Sequence, residues 1–203
     1  MSVRMSILAM VSRHPGYGYL LRAEFDRRTG ATSPLNVGQV YKTLDTLERD
    51  GLVTRSEQTD ADGHVFYEAT AAGHAAVAEW LTTAEETSTP SRSDLAVKVA
   101  VASTLPGVDI ERMLQAQRQA ALARLHRLTR ETPTEGPGLG PRLVADAILF
   151  EAETELRWLD HVEQRIRTAC ATGTALEVAF DIDPPRRGRP RRTDKPEASE
   201  ASD

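Results

Sequence analysis

The sequence predicts a mainly α-helical protein that contains one small β-hairpin. Apolar residues recur at spacings of three and four along most of the chain, whereas period-two alternation is confined to two short runs. Glycine, proline and capping residues separate these runs. A chain of 203 residues has room for one ordinary domain or two small ones. We predict a first domain at 1–83, a linker at 84–93, a helical second domain at 94–172 and a disordered tail at 173–203.

Three helices begin the first domain, and the third is the most informative. The first helix stops at the "HPG" of residues 14–16, and the second runs from 18 to 29. Asn36 can cap the third helix, and Gly51 can end it. Its predicted buried stripe consists of Val40, Leu44 and Leu47, and the opposite polar face contains Gln39, Lys42, Thr43 and Thr46.

After Gly51 the apolar pattern alternates with period two. The runs "LVTRSEQ" and "HVFYEAT" are typical of strands, and the Asp-Gly step between them is a strong hairpin signal. Thr70 can cap a fourth helix. Helix, helix, turn, helix, hairpin is the order of a winged helix-turn-helix domain, in which the third helix exposes a polar face that enters the DNA major groove.

Three motifs follow one another in this domain. They are Gly-Tyr, Gly-x-x-Tyr-x-x-Leu-x-x-Leu-x-x-x-Gly-Leu and Tyr-x-x-Thr-x-x-Gly, in order from Gly16 to Gly73. Their order and spacing resemble those of the PadR-like family of bacterial transcriptional regulators. The resemblance implies that the first domain is a winged helix that binds double-stranded DNA. It also implies that the protein acts as a dimeric repressor or regulator of transcription.

The resemblance also implies which residues contact DNA. Asparagine and glutamine can pair with adenine through two hydrogen bonds, and lysine or threonine can contact a phosphate or a base edge. Two alternatives stay open: Tyr41 packs under the helix, or Gln39 and Lys42 form a plain solvated face. The residues assigned to DNA by this resemblance are Asn36, Gln39, Tyr41, Lys42 and Thr43.

Two positions depart from the family pattern. Lys42 stands where the family often has proline. The lysine offers an additional contact to a DNA phosphate. The hairpin turn carries Glu57, Asp60 and Asp62, with only His64 to compensate, where the family often has arginines. Because carboxylates repel the phosphate backbone, these residues disfavour contacts from the wing. His64 is the wing residue that we assign to DNA.

The second domain is predicted to contain helices at 94–105, 109–131 and 139–170. The last helix carries an apolar stripe too long for a small domain to bury alone, so we predict that a second copy covers it and forms a homodimer. The resemblance agrees, because larger relatives carry a dimerisation domain similar to that of virulence activators. An intramolecular three-helix bundle is the alternative. The stripe residues assigned to dimerisation are Val144, Ile148, Leu156, Leu159, Val162 and Ile166.

Two tryptophans offer a site for a small molecule. Trp80 and Trp158 could line a pocket between the domains, where a flat aromatic effector would stack on their rings. The alternative is that both rings anchor the core or an interface. No cofactor is expected.

The segment "PRRGRPRR" at 185–192 places five arginines in a chain whose net charge is −5. Such a segment cannot fold alone, and its Arg-Gly-Arg-Pro core resembles an AT-hook, which lies extended in the narrow minor groove of A·T-rich DNA. General attraction to polyanions, or no role, are the alternatives. By this resemblance Arg187, Gly188, Arg189 and Pro190 enter the groove, and Arg186, Arg191 and Arg192 contact phosphates.

Other classes of protein are disfavoured. The five histidines lack metal-ligand spacing, and neither a phosphate-binding loop nor a nucleophile elbow is present, so we expect no enzyme and no metal. No apolar run is long enough to cross a bilayer, so we expect a cytoplasmic protein without a membrane partner. The alternative function is a helical adaptor that binds another protein, which the acidic wing favours.

Overall fold

The computed structural model describes residues 2–30, 35–59, 63–84, 92–131 and 138–182. Within those ranges the protein is mainly helical with one antiparallel hairpin, which confirms the predicted fold class. The elements in chain order are α1 (Ser2–Val11), α2 (Gly18–Thr29), α3 (Val37–Arg49), β1 (Val53–Thr59), β2 (Val65–Ala69), α4 (Ala71–Thr82), α5 (Arg92–Thr104), α6 (Ile110–Glu131) and α7 (Leu139–Ala171).

Helix α1 is the centre of the first hydrophobic core. Its Ile7, Leu8 and Met10 are fully buried because α2, α3, α4 and α5 all pack against the helix. Phe25 of α2 and Leu44 of α3 fill the same core. Burial of each large apolar side chain stabilises the fold by about 1.5–3 kcal/mol. The N-terminal helix therefore holds the first domain together.

The hairpin is anchored at its base. Arg55 pairs with Tyr67, and the register becomes irregular between Arg55 and Thr59. Gly16, in the turn between α1 and α2, exchanges two backbone hydrogen bonds with Tyr67, at 3.1 and 3.0 Å. This third backbone segment supports a two-stranded sheet that would be marginal alone. Asp60 and Asp62 of the predicted turn lie outside the described residues.

The third motif has a structural explanation. The Thr70 hydroxyl accepts a hydrogen bond from the Gly73 amide at 3.1 Å and caps α4, as predicted. The Leu52 carbonyl accepts the Thr70 amide at 3.0 Å. A Cβ atom at Gly73 would lie 2.1 Å from that same carbonyl oxygen. Glycine is therefore required where α4 passes the end of the α3–β1 connection.

Helix α5 joins the two domains, because its two sides belong to different cores. Val101 packs in the first core, whereas Leu95 and Val99 pack in the second. Lys98 is buried between the domains, and its Nζ donates to the Thr83 carbonyl at 2.7 Å. This bond ties the end of α4 to α5. The helix begins inside the segment that we predicted as linker.

Helices α6 and α7 form an antiparallel pair that closes the second core. Leu114 and Ala121 of α6 pack with Leu159 of α7. A polar network fixes the register, because the buried Glu155 carboxylate accepts from Gln117 Nε2 at 3.0 Å and from Arg124 Nη2 at 2.7 Å. Such a network is satisfied only in one alignment of the two helices.

Residues 174–182, which we predicted to be disordered, lie extended against α2 and α5, and we call them the strap. The Val178 amide donates to the Thr104 carbonyl at 3.0 Å, and the Phe180 ring stacks on His14 with centroids 4.9 Å apart. Leu176 also packs on the second core. The tail composition indicates disorder, but these apolar side chains compensate the ordering entropy up to residue 182.

The basic segment at 185–192 lies outside the described residues. In the part of the chain that the structure describes, no helix is both long enough and apolar enough to span a bilayer.

Candidate nucleic-acid interface

Helix α3 begins with the cap that the sequence predicts. Asn36 Oδ1 accepts from the Gly38 amide at 2.8 Å, and Gln39 Oε1 accepts from the Asn36 amide at 3.1 Å. This reciprocal capping box satisfies two backbone donors that a helix start leaves unbonded. The predicted buried stripe is also confirmed, with complete burial of Val40, Leu44 and Leu47.

The opposite face of α3 is open to solvent. Asn36, Gln39 and Lys42 are exposed, and Thr43 is half-buried. The Thr43 hydroxyl donates to the Gln39 carbonyl at 2.8 Å, which holds its oxygen near the helix surface. Because the capping box engages both amide oxygens, it also orients the amide NH2 groups, which are hydrogen-bond donors. Four of the five predicted DNA contacts on α3 thus share one accessible face.

Tyr41 takes a different position, because its ring packs on α2. A Cβ atom at Gly18 would lie only 2.5 Å from the Tyr41 ring. Burial raises the pKa of the Tyr41 hydroxyl, the neighbouring Tyr19 raises it further, and a hydrogen bond with the Gly18 backbone lowers it. This contact favours the alternative in which Tyr41 positions α3. Tyr19 lies beside this ring and is exposed, and it was not predicted as a candidate site residue. The one sequence signal for its exposure is that it lies outside the apolar stripe of α2.

Two carboxylates in the second half of α3 are paired with one strand residue. Arg55 of β1 contacts Asp45 at 3.1 Å and Glu48 at 2.9 Å. Its guanidinium also lies over the Tyr67 ring, 5.6 Å from the centroid. One guanidinium thus offsets part of the charge of two acidic groups on the flank of α3, which reduces their repulsion of DNA. Sequence reasoning missed Arg55, because this contact joins a strand to a helix that the local pattern does not connect.

The wing residue that we assigned to DNA lies at the turn end of β2, where its ring packs on the start of α2. The His64 ring stacks on Tyr17 with centroids 4.1 Å apart and an interplanar angle of 10°. Tyr17 also contacts the Phe66 ring edge-on, at 5.4 Å. In this position His64 secures the hairpin against the α1–α2 turn.

The stripe that we assigned to dimerisation divides into two halves. Its C-terminal half packs inside its own chain, because Leu159 and Ile166 are buried and Leu156 and Val162 pack against the same core. The intramolecular alternative is therefore correct for this half. The N-terminal half extends beyond that core, and its exposed side chains are Val144 (61%), Ile148 (43%), and, unpredicted, Leu139, Leu143 and Phe150.

A cavity of about 360 Å³ lies between the domains. Its apolar wall includes Val77 and Leu81 of α4 and Met113 of α6. Three basic side chains, Arg13, His74 and Arg112, line it together with the carboxylate of Asp109. An apolar wall beside two guanidinium groups suits a small organic anion.

Neither predicted tryptophan lines this cavity. The Trp80 ring lies beneath the Lys98 ammonium, 5.3 Å from its centroid, and packs on the first core. Trp158 packs on the second core. Both rings follow the alternative interpretation as core anchors, because each is partly buried against the core of its own domain. Among the described residues, no three potential metal ligands come together.

Comparisons with known proteins identify both domains. The model of the "Transcriptional regulator PadR-like family" matches residues 7–79, and that of the "Virulence activator alpha C-term" matches residues 91–167. Together the two matches span most of the chain. No curated protein matches it significantly.

Solved structures give matches of low identity. PadR of Bacillus subtilis in complex with operator DNA is 18% identical over 82% of this chain and 99% of that chain, with a TM-score of 0.40. The same regulator in complex with p-coumaric acid is 19% identical with the same coverage and a TM-score of 0.37. The protein smu.1604c from Streptococcus mutans UA159 is 18% identical over 81% and 99%, with a TM-score of 0.38.

The two family matches agree with the motifs, with the capped and exposed α3, and with the helical second domain. The chain is therefore a DNA-binding regulator and not an enzyme, and it belongs to the PadR-like family of transcriptional regulators.

Proposed function

We propose that two copies of the chain bind a pseudo-palindromic operator, each with α3 in the major groove. The observation that carries this proposal is the exposed face of α3, which is fixed by its cap and its buried stripe and contains Gln39 and Lys42. In this arrangement Lys42 contacts phosphate, and Asn36, Gln39 and Thr43 reach base edges or phosphates. Tyr41 sets the angle of α3 against α2.

The N-terminal half of α7 supports a homodimer. Five large apolar side chains between residues 139 and 150 are exposed. A monomer rarely exposes such a concentration of apolar surface, and a second copy of the same helix can cover it symmetrically. A two-fold dimer presents two α3 helices to the two halves of one operator.

The cavity between the domains supports a response to a small molecule. Its walls come from α4 of the first domain and α6 of the second, so a bound molecule contacts both. We propose an organic anion whose carboxylate lies near Arg13 and Arg112. Because the ligand favours one arrangement of these walls, it shifts the position of the first domain and the affinity for DNA. Operator occupancy without this ligand represses transcription.

The basic segment at 185–192 adds a second DNA contact in this proposal. Arg187, Gly188, Arg189 and Pro190 lie in the minor groove beside the operator, and the flanking Arg186, Arg191 and Arg192 contact phosphates. The body of the protein is acidic overall, so this segment supplies charge that α3 and the wing lack.

Genome-wide footprinting, followed by gel-shift titration of the recovered sites, tests the proposal. We expect a shared two-fold site that the full-length protein binds at moderate salt. Deletion of residues 185–203 should lower affinity and reduce the salt slope by roughly 0.9 for each phosphate that the segment neutralises in the full-length complex. An unchanged slope contradicts the tail contact alone. The absence of any defined site contradicts the operator proposal and favours the adaptor.

A further inference from the structure

The strap is held on the first domain by two buried charges of α2. The Glu24 and Arg28 side chains are each only 2% exposed and form an ion pair at 3.0 Å. Glu24 Oε1 also accepts the backbone amide of Asp181 at 3.0 Å, and Arg28 Nη2 donates to the Val178 carbonyl at 3.0 Å. Each member of the pair therefore binds the strap backbone directly.

The same pair reaches the end of α5. Arg28 Nη1 donates to the Thr104 carbonyl at 3.1 Å and to the Thr104 hydroxyl at 2.8 Å. Arg27 adds a bond to the Ala179 carbonyl at 2.5 Å. Because buried charges are costly unless their hydrogen bonds are satisfied, the docked strap is part of what keeps this network stable.

The strap closes a ring of contacts between the first domain and α7. Helix α7 ends at Ala171, and Gly173, at φ 69°, turns the chain toward the strap. Along the rest of the ring, α5 packs on α1 and α2, and α6 packs on α5 and α7. The strap is the direct covalent link from the end of α7 to the surface of α2. Release of the strap would remove this link and leave the contacts that α5 and α6 make with the first domain.

We propose that the strap determines the half-site spacing that the dimer accepts. This inference depends on the proposed function, in which α7 pairs two copies and each α3 reads one half-site. A strap docked on α2 holds the first domain at one angle to its own α7, so the distance between the two α3 helices is set. The strap lies outside both family matches, 7–79 and 91–167.

Two variants at one position separate the strap bond from the side chain. Asp181→Pro removes the amide hydrogen that Glu24 accepts, whereas Asp181→Ala loses the same carboxylate but keeps that hydrogen.

A third variant inserts Gly-Ser-Gly between Gly173 and Thr174. It leaves every strap bond to α2 available but loosens the connection to α7. All are made in the full-length protein, and thermal unfolding is recorded for each.

The measurement is the affinity of each protein for a series of DNA duplexes. Each duplex carries the same two half-sites, and their centre-to-centre spacing varies in single base-pair steps around about 10 base pairs. A duplex with a single half-site is measured beside them. The parent and Asp181→Ala should prefer one spacing by roughly tenfold over its neighbours, equivalent to about 1.4 kcal/mol. Asp181→Pro and the insertion should reduce this preference to below about threefold, with single half-site affinity unchanged.

The insertion variant makes the test independent of folding. If Asp181→Pro unfolds the first domain, its single half-site affinity falls, and the insertion alone decides. An insertion variant that keeps the parent's spacing preference overturns the role of the strap. A parent that binds the single half-site as tightly as any pair instead contradicts the proposed dimeric reading, and leaves the strap bonds as intramolecular packing.

Discussion

Gly18 is occupied by glycine because the Tyr41 ring fills the space that a side chain would need. The nearest ring atoms lie 2.5 to 2.9 Å from the position of a Cβ atom. This contact joins the start of α2 to the reading helix, so Gly18 serves the geometry of α3. At the same scale, the Asn36–Gln39 capping box fixes the first turn of that helix.

We predict that Gly18→Ala displaces Tyr41 and tilts α3. Forcing one methyl group into a filled site should destabilise the protein by about 1–3 kcal/mol and weaken operator binding. Urea unfolding and gel-shift titration measure the two effects. Gly140→Ala is the control, since a Cβ atom there has no neighbour within 4 Å. Parent-like stability and affinity in Gly18→Ala would show that the ring moves aside without consequence.

Gln39 allows helix capping and DNA contact to be separated. Gln39→Glu keeps a side-chain oxygen for the Asn36 amide, so helix stability should be retained. It loses the amide donor and adds a negative charge, which should lower operator affinity at least about tenfold at low salt. Thermal unfolding and filter binding provide the two readouts. If affinity is unchanged, this side chain does not face DNA.

Among the elements, α7 combines two environments in one helix. Its C-terminal half packs on α6 and contributes to the second core, and its N-terminal half presents exposed apolar side chains. Helix periodicity indicates which face is apolar but not what covers it, so the sequence predicted one continuous dimer stripe. The structure restricts the proposed interface to the first turns.

We predict that Ile148→Glu dissociates the dimer. A charge placed in an apolar interface must be desolvated without a partner, which should raise the dimer dissociation constant at least about tenfold. Arg142→Glu is the control, since helix periodicity places this exposed residue about 120–160° around the helix from Val144 and Ile148. Sedimentation equilibrium reports the association state. Equal dissociation by both variants, or by neither, contradicts an interface centred on the Val144–Ile148 face.

For the whole molecule, sequence patterns predicted local features well and long-range contacts poorly. The α3 cap, its buried stripe, the hairpin and the Thr70 cap each depend on residues within a few positions, and all are confirmed. The Arg55 contacts with α3 and the strap on α2 join segments that are separate in sequence. Such contacts leave no periodic signal, and the prediction grouped the strap with the polar, charged residues that follow it, whose composition indicates disorder.

The cavity gives a prediction at the scale of the two domains. Benzoate should bind it and raise the unfolding free energy by about 2.7 kcal/mol at a hundredfold excess over its dissociation constant, whereas benzylamine should not. Arg112→Gln should remove the benzoate effect, and Arg127→Gln, on the same helix but outside the cavity lining, should keep it. Calorimetric unfolding scans measure the shift. Equal stabilisation by both compounds would contradict an anion site.

Methylation interference on a footprinted operator tests the central claim most directly, because N7 of guanine lies in the major groove. If two copies each insert α3, methylation should block binding at two clusters separated by about one helical turn, 10–10.5 base pairs, or a multiple of it. In Lys42→Ala both clusters should remain, with weaker binding overall. Interference at a single cluster, or none in the major groove, would contradict the account of α3 as the paired reading helix.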